Sequence, residues 1–218
     1  MCANYEPIHL PNIAKLGMEQ PSFNFDEEAF PYSKCPMIVS GDGADFAWQK
    51  AQFHLLPNWS KTKIYKAKTH NARLEKVDTL PSYRGAWRNN QFALIPMESF
   101  CEPCYETGKS EWWRIQRVDG EPFTVAAIYD EWTDHKETIQ SFSMLTINAA
   151  KHPLMKRFHK PDEEKRSIVI IPPEHRLDWL HADHKTAMEL IHELPTLEFK
   201  AAPKFITPKP LNLDFFFN

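Results

Sequence analysis

The sequence predicts an α+β fold, in which a mixed, mostly antiparallel, open β-barrel-like sheet carries helices at its periphery. Short segments rich in β-branched and aromatic residues outnumber the segments with helical periodicity. Strands and helices do not alternate regularly, as they would in a parallel sheet built from βαβ units. The chain also contains 18 prolines, which favour short elements and many turns.

Seven segments have the length and composition of β-strands. They are Pro36–Ser40, Phe46–Phe53, Gln91–Phe100, Trp112–Val118, Phe123–Ile128, Phe142–Thr146 and Ser167–Ile171. Three segments are predicted to be helical, namely Ala149–Phe158, Pro173–His181 and His184–Glu193.

Length and composition indicate one domain that spans residues 1–218 and buries a sizeable core. No apolar run approaches the roughly 20 residues that are needed to cross a bilayer. The N-terminus lacks the basic and apolar regions of a secretory signal, so we expect a monomeric protein of the cytoplasm with no membrane contact. The segment from Lys200 onward ends in Phe215–Phe217, which we expect to pack against the body of the protein.

Charge is segregated along the chain, although the formal net charge is only −3. Residues 59–90 hold eight basic and two acidic residues, whereas residues 20–47 hold five acidic residues and one basic residue. The first stretch is a candidate surface for a polyanion. A solvated face with chance clustering of charges explains the same pattern equally well.

Cys2 is the most informative single residue. A side chain this small allows an aminopeptidase to remove Met1, which leaves a cysteine with a free α-amine beside its thiol. An α-amine has a pKa near ~7.7–8.0, so a useful fraction is neutral at pH 7 and can attack an aldehyde. The thiol can then close on the imine to give a thiazolidine. By its position alone, Cys2 is also consistent with a tolerated small residue near a chain end.

Several motifs follow Cys2 along the chain. Residues 56–59 read L-P-N-W, residues 71–75 read N-A-R-x-E, and residues 96–102 read P-x-E-x-F-x-E. Leu145-Thr146 precedes His159, and Arg166 precedes an apolar strand. Together with Cys2, this set resembles the SRAP family (SOS response-associated peptidases, also called abasic-site processing proteins). The resemblance extends from Cys2 to about Leu180.

The resemblance implies a role for four residues. Cys2 would form a thiazolidine crosslink with the ring-opened sugar of an abasic site in single-stranded DNA. Asn71 would hold the terminal amine and the sugar by hydrogen bonds. Glu102 would accept and return a proton, and His159 would protonate the sugar ring oxygen. The implied partner is therefore single-stranded DNA that contains abasic sites, in a DNA damage response that would place the protein at the nucleoid.

Basic and aromatic residues are candidates for holding the DNA. Arg73 is the first candidate for a phosphate beside the lesion, and Arg166, Lys61 and Lys63 are secondary candidates. Trp59 is predicted either to stack on a base that flanks the abasic site or to lie in the core.

The sequence departs from the family pattern at several positions. Ala3-Asn4 replaces the Gly-Arg pair that is frequent in the family, whose arginine contacts DNA. Glu98 replaces an aspartate, and Pro103 replaces an aromatic residue. The segment between His159 and Arg166 is longer and more acidic than the usual short link.

The other cysteines are not predicted to bind a metal or to form a redox centre. Cys101 and Cys104 form a CxxC pair, but no second pair or HxxxH stands at a spacing that would complete a zinc site. The pair also precedes a turn rather than a helix, unlike a redox centre. We therefore predict free thiols, no metal and no cofactor.

Two alternatives share parts of this pattern. The first is a cysteine-type peptidase that processes itself and uses Cys2 as its nucleophile. The second is a non-catalytic single-strand binding module, which the basic stretch and Trp59 would suit. The second alternative gives no reason for Cys2, Glu102 and His159 to occur together.

Overall fold

A computed structural model describes residues 2–42 and 46–204 of the chain. The predicted packing of Phe215–Phe217 lies outside these residues. The described strands are β1 Asn4–Pro7, β2 Lys34–Ser40, β3 Phe46–Phe53, β4 Asn71–Arg73, β5 Phe92–Cys104, β6 Glu111–Arg117, β7 Phe123–Thr133, β8 Thr138–Asn148, β9 Arg166–Ile168, β10 Ile170–Ile171 and β11 Phe199–Pro203. The α-helices are α1 Leu74–Val77, α2 Pro81–Arg88 and α3 Arg176–His181. Short 3-10 helices cover Leu10–Leu16, Met155–Arg157, Pro173–His175, Thr186–Leu190 and Thr196–Glu198.

The strands form one mixed sheet that closes on itself. The path β7-β8-β3-β2-β5 returns to its start because β5 pairs with both β2 and β7. Strand β8 pairs in parallel with β3 and β4, whereas the other paired strands are antiparallel. The predicted α+β fold, with its mixed and mostly antiparallel barrel-like sheet, is confirmed.

The barrel strands are buried on both faces. Along β2 and β5, Met37 and Ile95 belong to the cluster inside the barrel, and their neighbours Ile38 and Leu94 belong to a second cluster outside it. Alternation of side chains along a strand produces this division. It also explains why these strands are almost continuously apolar in sequence.

Helices cover the outer cluster. Trp87 of α2 and Trp179 of α3 both pack against Phe92, with ring-centroid distances of 5.2 and 4.9 Å. The Trp179 indole N–H donates a hydrogen bond to the carbonyl of Ala93 at 2.9 Å, so this buried nitrogen is satisfied. In the part of the chain that the structure describes, no helix has the length and apolar character needed to cross a membrane.

The predicted strands are found, with shifts at their ends. Residues 46–53 form β3 as predicted, β5 continues four residues beyond Phe100, and the segment predicted at Ser167–Ile171 divides into β9 and β10. Strands β1, β4 and β11 were not predicted. Each has three to five residues, and its partner lies far away in the sequence.

The helix prediction for Ala149–Phe158 was wrong, since the segment contains only the 3-10 turn Met155–Arg157. The Asn148 side chain accepts the N–H of Ala150, and the His152 ring accepts the N–H of Met155 at 3.0 Å. These local hydrogen bonds replace those of a helix, and Pro153 lacks an N–H altogether.

The other two helix predictions differ in outcome. The segment Pro173–His181 is helical as predicted, as a 3-10 turn followed by α3. The segment His184–Glu193 contains only the short 3-10 helix Thr186–Leu190. Ala187 is the one buried residue of that 3-10 helix, so its apolar face is too small to stabilise a longer helix.

The stacked pair inside the barrel gives a test of the core. Phe142 is fully buried and stacks on Phe53 at a centroid distance of 5.3 Å. We expect Phe142→Ala to lower the free energy of unfolding by about 3–5 kcal/mol, because it removes a ring and leaves a cavity. Urea denaturation measures this loss.

The matched control is Leu197→Ala, at a side chain that is 94% exposed. This change is expected to leave the unfolding midpoint nearly unaltered, within about 0.5 kcal/mol. Equal losses in the two variants would contradict the placement of Phe142 in the core.

Candidate active site

Cys2 lies two residues before β1 and is fully buried in the cluster inside the barrel. Strand β1 pairs antiparallel with β5, with Asn4 opposite Cys101. The Cys2 thiol makes a weak hydrogen bond, at 3.5 Å, to the carbonyl of Asn4. Pairing of β1 with β5 therefore fixes the N-terminal residues against the last part of β5, which also carries Glu102.

Asn71 holds the backbone of Cys2. It is the first residue of β4, is buried, and donates from Nδ2 to the carbonyl oxygen of Cys2 at 2.6 Å. The Tyr83 hydroxyl donates to the backbone carbonyl of Asn71 at 3.0 Å and so fixes this strand. The Asn71 Oδ1 atom is buried and has no hydrogen-bond donor among the described residues. This amide oxygen is therefore positioned to accept a hydrogen bond from a ligand.

Glu102 faces the inside of the barrel. It shares a face of β5 with Phe100 and Cys104, both of which belong to the inner cluster. Its Oε2 atom lies 3.1 Å from Nε2 of His159, and both side chains are at least 95% buried. The two side chains are in close contact, but neither ring nitrogen of His159 has the geometry of a hydrogen bond to any described residue.

The backbone at His159 is unusual. Its φ angle of 65° lies in the left-handed region, which few residues other than glycine adopt. The His159 N–H donates to the Pro103 carbonyl at 2.8 Å, and Nζ of Lys165 donates to the His159 carbonyl at 3.0 Å. These two hydrogen bonds hold the strained residue with its ring directed at Glu102.

Burial controls the charge state of Cys2. Desolvation raises the pKa of the Cys2 thiol well above its ordinary value, and the nearby carboxylate of Glu102 raises it further. The thiol is therefore protonated at neutral pH. The four predicted residues therefore form one buried group. Asn71 holds the Cys2 carbonyl, Glu102 contacts His159, and the charge of Glu102 acts on the Cys2 thiol.

His70, the residue before Asn71, was not among the predicted site residues. Burial lowers the pKa of His70 to about 4, with a further contribution from His54, and Glu102 acts in the opposite direction. The imidazole is therefore neutral and lies within electrostatic reach of the site. The signal available in the sequence was its place inside the Thr69–Glu75 motif.

Arg73 and Arg166 are placed differently. Arg73 is 40% exposed and pairs with Glu164 at 2.8 Å. Arg166 is only 2% exposed, and its guanidinium binds Glu75 through two hydrogen bonds of 2.8 and 2.9 Å. It also donates to Glu164 at 2.8 Å. The structure thus does not present Arg166 to a phosphate, and this guanidinium instead ties β9 to α1.

Trp59, Lys61 and Lys63 lie at the surface. Trp59 is 53% exposed, so the expectation of a core tryptophan was wrong. Its indole N–H donates to the Pro81 carbonyl at 3.3 Å, and its ring meets that of Tyr65 edge to face at 5.7 Å. Lys61 is exposed, and Lys63 pairs with Glu137 at 2.8 Å.

The four cysteines are buried free thiols. Cys101 and Cys104 both lie on β5, three positions apart, and therefore face opposite sides of the sheet. Their thiols cannot bind one ligand together or form a disulfide without rearrangement of the strand.

The chain thus forms a closed mixed sheet that buries Cys2, with Asn71 on its carbonyl, beside a buried Glu102–His159 pair. The chain belongs to the SRAP family, described as SOS response associated peptidase, whose model matches residues 5–204. The matched segment begins just after Cys2.

Individual relatives agree with this assignment. The chain is 25% identical over 177 residues to the abasic site processing protein YoqW of Bacillus subtilis, covering 81% of this chain and 74% of the relative. It is 25% identical over 178 residues to YobE of the same organism, also named an abasic site processing protein, covering 81% of this chain and 75% of the relative.

Solved structures show the same architecture. A protein from Bordetella bronchiseptica superposes with a TM-score of 0.89 at 27% identity, covering 94% of this chain and all of that one. A protein from Bacteroides thetaiotaomicron, at 20% identity, superposes with a TM-score of 0.78 over 93% of this chain and 91% of its own. The second likeness concerns the fold alone.

The buried position of Arg166 can be tested by stability. Arg166→Gln removes the charge that compensates Glu75 and Glu164, and we expect a loss of about 1–3 kcal/mol at pH 7. Burial has the largest single effect on the pKa of Glu75 and raises it, but the hydrogen bonds and charge of Arg166, together with a backbone hydrogen bond, leave the pKa below its ordinary value. Hydrogen bonding to Arg166 likewise lowers the pKa of Glu164.

These depressed pKa values set the direction of the pH dependence. The stabilisation is present above the unfolded-state pKa of the carboxylates and is lost as pH falls through their folded-state pKa. The difference between wild type and Arg166→Gln should therefore shrink in acid, as followed by urea denaturation from pH 7 to 3. The control Arg88→Gln, at an exposed pair with Asp78, should change little at any pH. A pH-independent difference for Arg166→Gln would refute the assigned pairing.

Proposed function

We propose that this protein, after removal of Met1, uses Cys2 to capture abasic sites in single-stranded DNA as a covalent thiazolidine. The observation that carries the proposal is the buried group formed by Cys2, Asn71, Glu102 and His159. These residues come from four separate segments, yet hydrogen bonding, close contact and electrostatics link them. The relatives named abasic site processing proteins support the choice of substrate.

The α-amine reacts first, because an imine must form before the sulfur can close the ring. With an ordinary pKa near ~7.7–8.0, part of this amine is neutral at pH 7 and can attack. The amine adds to the C1′ aldehyde of the ring-opened sugar, and loss of one water gives an imine. The sulfur then adds to the imine carbon, and the thiol proton ends on the nitrogen. The product is a five-membered thiazolidine, and water is released.

Asn71 orients the nucleophile. Its Nδ2 atom holds the Cys2 carbonyl, which restricts rotation of the residue that carries both the amine and the thiol. Its buried Oδ1 atom can accept a hydrogen bond from the amine or from a sugar hydroxyl. An amide makes these contacts without competing for the aldehyde.

Glu102 and His159 transfer the protons. The attacking amine must lose a proton, and the departing hydroxyl must gain one. A carboxylate and an imidazole 3.1 Å apart can supply both transfers, since one accepts while the other donates. Their burial excludes bulk water, which strengthens hydrogen bonds to the developing charges.

A peptidase reaction at Cys2 is the first alternative. Nucleophilic cysteines of hydrolases have a lowered pKa, because the thiolate is the attacking species. With Met1 in place, burial and the charge of Glu102 shift the pKa of Cys2 in the other direction. Incubation with an abasic oligonucleotide and, separately, with a panel of peptides distinguishes the two reactions.

A non-catalytic single-strand binding module is the second alternative. Exposed Trp59 and Lys61 suit such a module. Such a module has no need for the buried Glu102–His159 pair, because burying ionisable groups is costly and pairs of this kind are concentrated at functional sites. A binding module would bind intact and abasic strands equally and would form no covalent product.

Substitution of Cys2 tests the covalent step. We expect Cys2→Ala and Cys2→Ser to abolish the heat-stable adduct with a single-stranded oligonucleotide that contains one abasic site. Serine retains the amine but offers no thiol, so its imine cannot close to a thiazolidine. Intact mass spectrometry detects the adduct and reports whether Met1 has been removed.

The control for Cys2 is Cys35→Ser, which alters another fully buried cysteine of the inner cluster. It should retain crosslinking in its folded fraction. A heat-stable adduct of normal yield from Cys2→Ser would overturn the thiazolidine mechanism, and so would one from a protein that retains Met1.

Substitution of Glu102 tests the proton transfer. Glu102→Gln keeps the size of the side chain but cannot exchange a proton, so we expect crosslink formation to slow by about 10²-fold or more. Reversal should slow as well if the same carboxylate returns the proton. The rate is measured at saturating DNA between pH 6 and 8 and is corrected for the folded fraction.

Glu98→Gln is the matched control, because Glu98 lies on the same strand and accepts hydrogen bonds from His9 and Asn12 instead. It should crosslink at the wild-type rate. If Glu102→Gln also reacts at the wild-type rate across this pH range, Glu102 has no part in the chemistry.

A further inference from the structure

A second cleft lies apart from the buried cysteine site. It has a volume of about 490 Å³ and is enclosed by the first residues of β7 and β11, by β10 and by the start of α3. Its apolar walls include Phe123, Ile171 and Phe199. None of Cys2, Asn71, Glu102 and His159 lines this cleft.

Arg176 is the principal polar group of the cleft. The residue is only 8% exposed, and its Nε donates to the Thr124 hydroxyl at 3.1 Å. That hydroxyl donates in turn to the Ile171 carbonyl at 2.8 Å, which fixes its lone pairs toward Arg176. No carboxylate of the described residues forms an ion pair with Arg176, and the two Nη atoms have no acceptor among those residues.

The other cations of the cleft are already compensated. Lys15 pairs with Glu121 at 3.0 Å, and Arg117 pairs with Glu198 at 2.8 Å. Among the described residues, Arg176 is therefore the cation of the cleft without an ion pair, although the charge of Glu174 acts on it from a distance. A buried guanidinium remains charged, and its cost is offset when an anion accepts its paired N–H groups.

The remaining acidic groups define what else the occupant carries. Glu174 and Glu193 also line the cleft and form no ion pair with the described residues. They disfavour a polyanion such as a nucleic-acid backbone and favour a ligand that brings a positive charge. A fitting ligand therefore combines three groups. These are a carboxylate for Arg176, a positive charge for the two glutamates and an apolar group for the apolar wall.

We propose that the Arg176 cleft binds the C-terminus of a peptide whose last residue is apolar and whose preceding residue is basic. The terminal carboxylate accepts two hydrogen bonds, one from each Nη atom of the Arg176 guanidinium. The last side chain lies on the apolar wall, and the basic residue faces the two glutamates. This site does not depend on the chemistry of Cys2.

The test uses the full chain labelled with ¹⁵N and three short probes. These are N-acetyl-Lys-Leu with a free carboxylate, the same peptide as its C-terminal amide, and N-acetyl-Glu-Leu with a free carboxylate. We expect saturable shifts of the Arg176 Nε–H and of the Phe123 and Phe199 amides with the first probe. The other two should bind at least about tenfold more weakly, because the amide lacks the carboxylate and the glutamate probe has a negative charge in place of the positive one.

Variants assign the effect to Arg176. Arg176→Gln should bind the acid and the amide with equal affinity, whereas Arg84→Gln, which alters an exposed arginine outside the cleft, should preserve the tenfold difference. If Arg176→Gln does not fold, the comparison of acid and amide on the unaltered chain decides alone. Equal binding of these two probes to the unaltered chain, or the absence of saturable shifts, would overturn the proposal.

Two further measurements separate this site from other possibilities. Inorganic phosphate that shifts the same resonances at lower concentration than the peptide would show a phosphate site and overturn the assignment to a carboxylate. A Cys2→Ala chain should bind the first probe with unchanged affinity. Loss of binding in that variant would contradict the independence of the two sites.

Discussion

The pairing of β5 is the constraint on which both the barrel and the candidate site depend. This 13-residue strand pairs with β1, β2, β6 and β7, so it closes the barrel and also holds the N-terminal strand. The side-chain period of two puts Glu102 on the inner face with Phe100. The register that places Asn4 opposite Cys101 brings Cys2 to the same end of the barrel. A slip of one residue would turn Glu102 outward and separate it from His159.

The site is stabilised by its surroundings, since its own residues are costly to bury. An asparagine, a glutamate and a histidine lie almost completely buried beside an apolar core, and His159 has a left-handed backbone. Hydrogen bonds from neighbouring segments hold them, such as that from Lys165 to the His159 carbonyl. A low-dielectric environment strengthens each of these contacts and holds the side chains in place. The buried polar group therefore costs stability, which the packing of the rest of the barrel compensates.

Local patterns in the sequence were sufficient to predict most strands and the fold class, and the resemblance to the family indicated the four residues that meet in the buried group. The short strands β1 and β4 could not be predicted, because their stability comes from pairing with β5 and β8 rather than from their own composition. The burial of Arg166 was equally inaccessible, since its partner Glu75 lies 91 residues away. Motif position indicated the candidate residues, whereas the direction of each side chain depended on long-range contacts.

Glu164 shows how such contacts decide which arginine is available to a ligand. This residue of the acidic segment after His159 contacts both Arg73 and Arg166, yet the two arginines are not equivalent. The pair of Arg73 with Glu164 is partly solvated, and exposed pairs contribute only about 0–1 kcal/mol, so a phosphate can replace the carboxylate at little cost. A phosphate at Arg166 would instead have to displace Glu75 from a buried guanidinium and expose the interior of the sheet. In the proposed complex, Arg73 is therefore the arginine that exchanges Glu164 for DNA. Arg166 instead holds β9 to α1, the helix that directly follows Arg73.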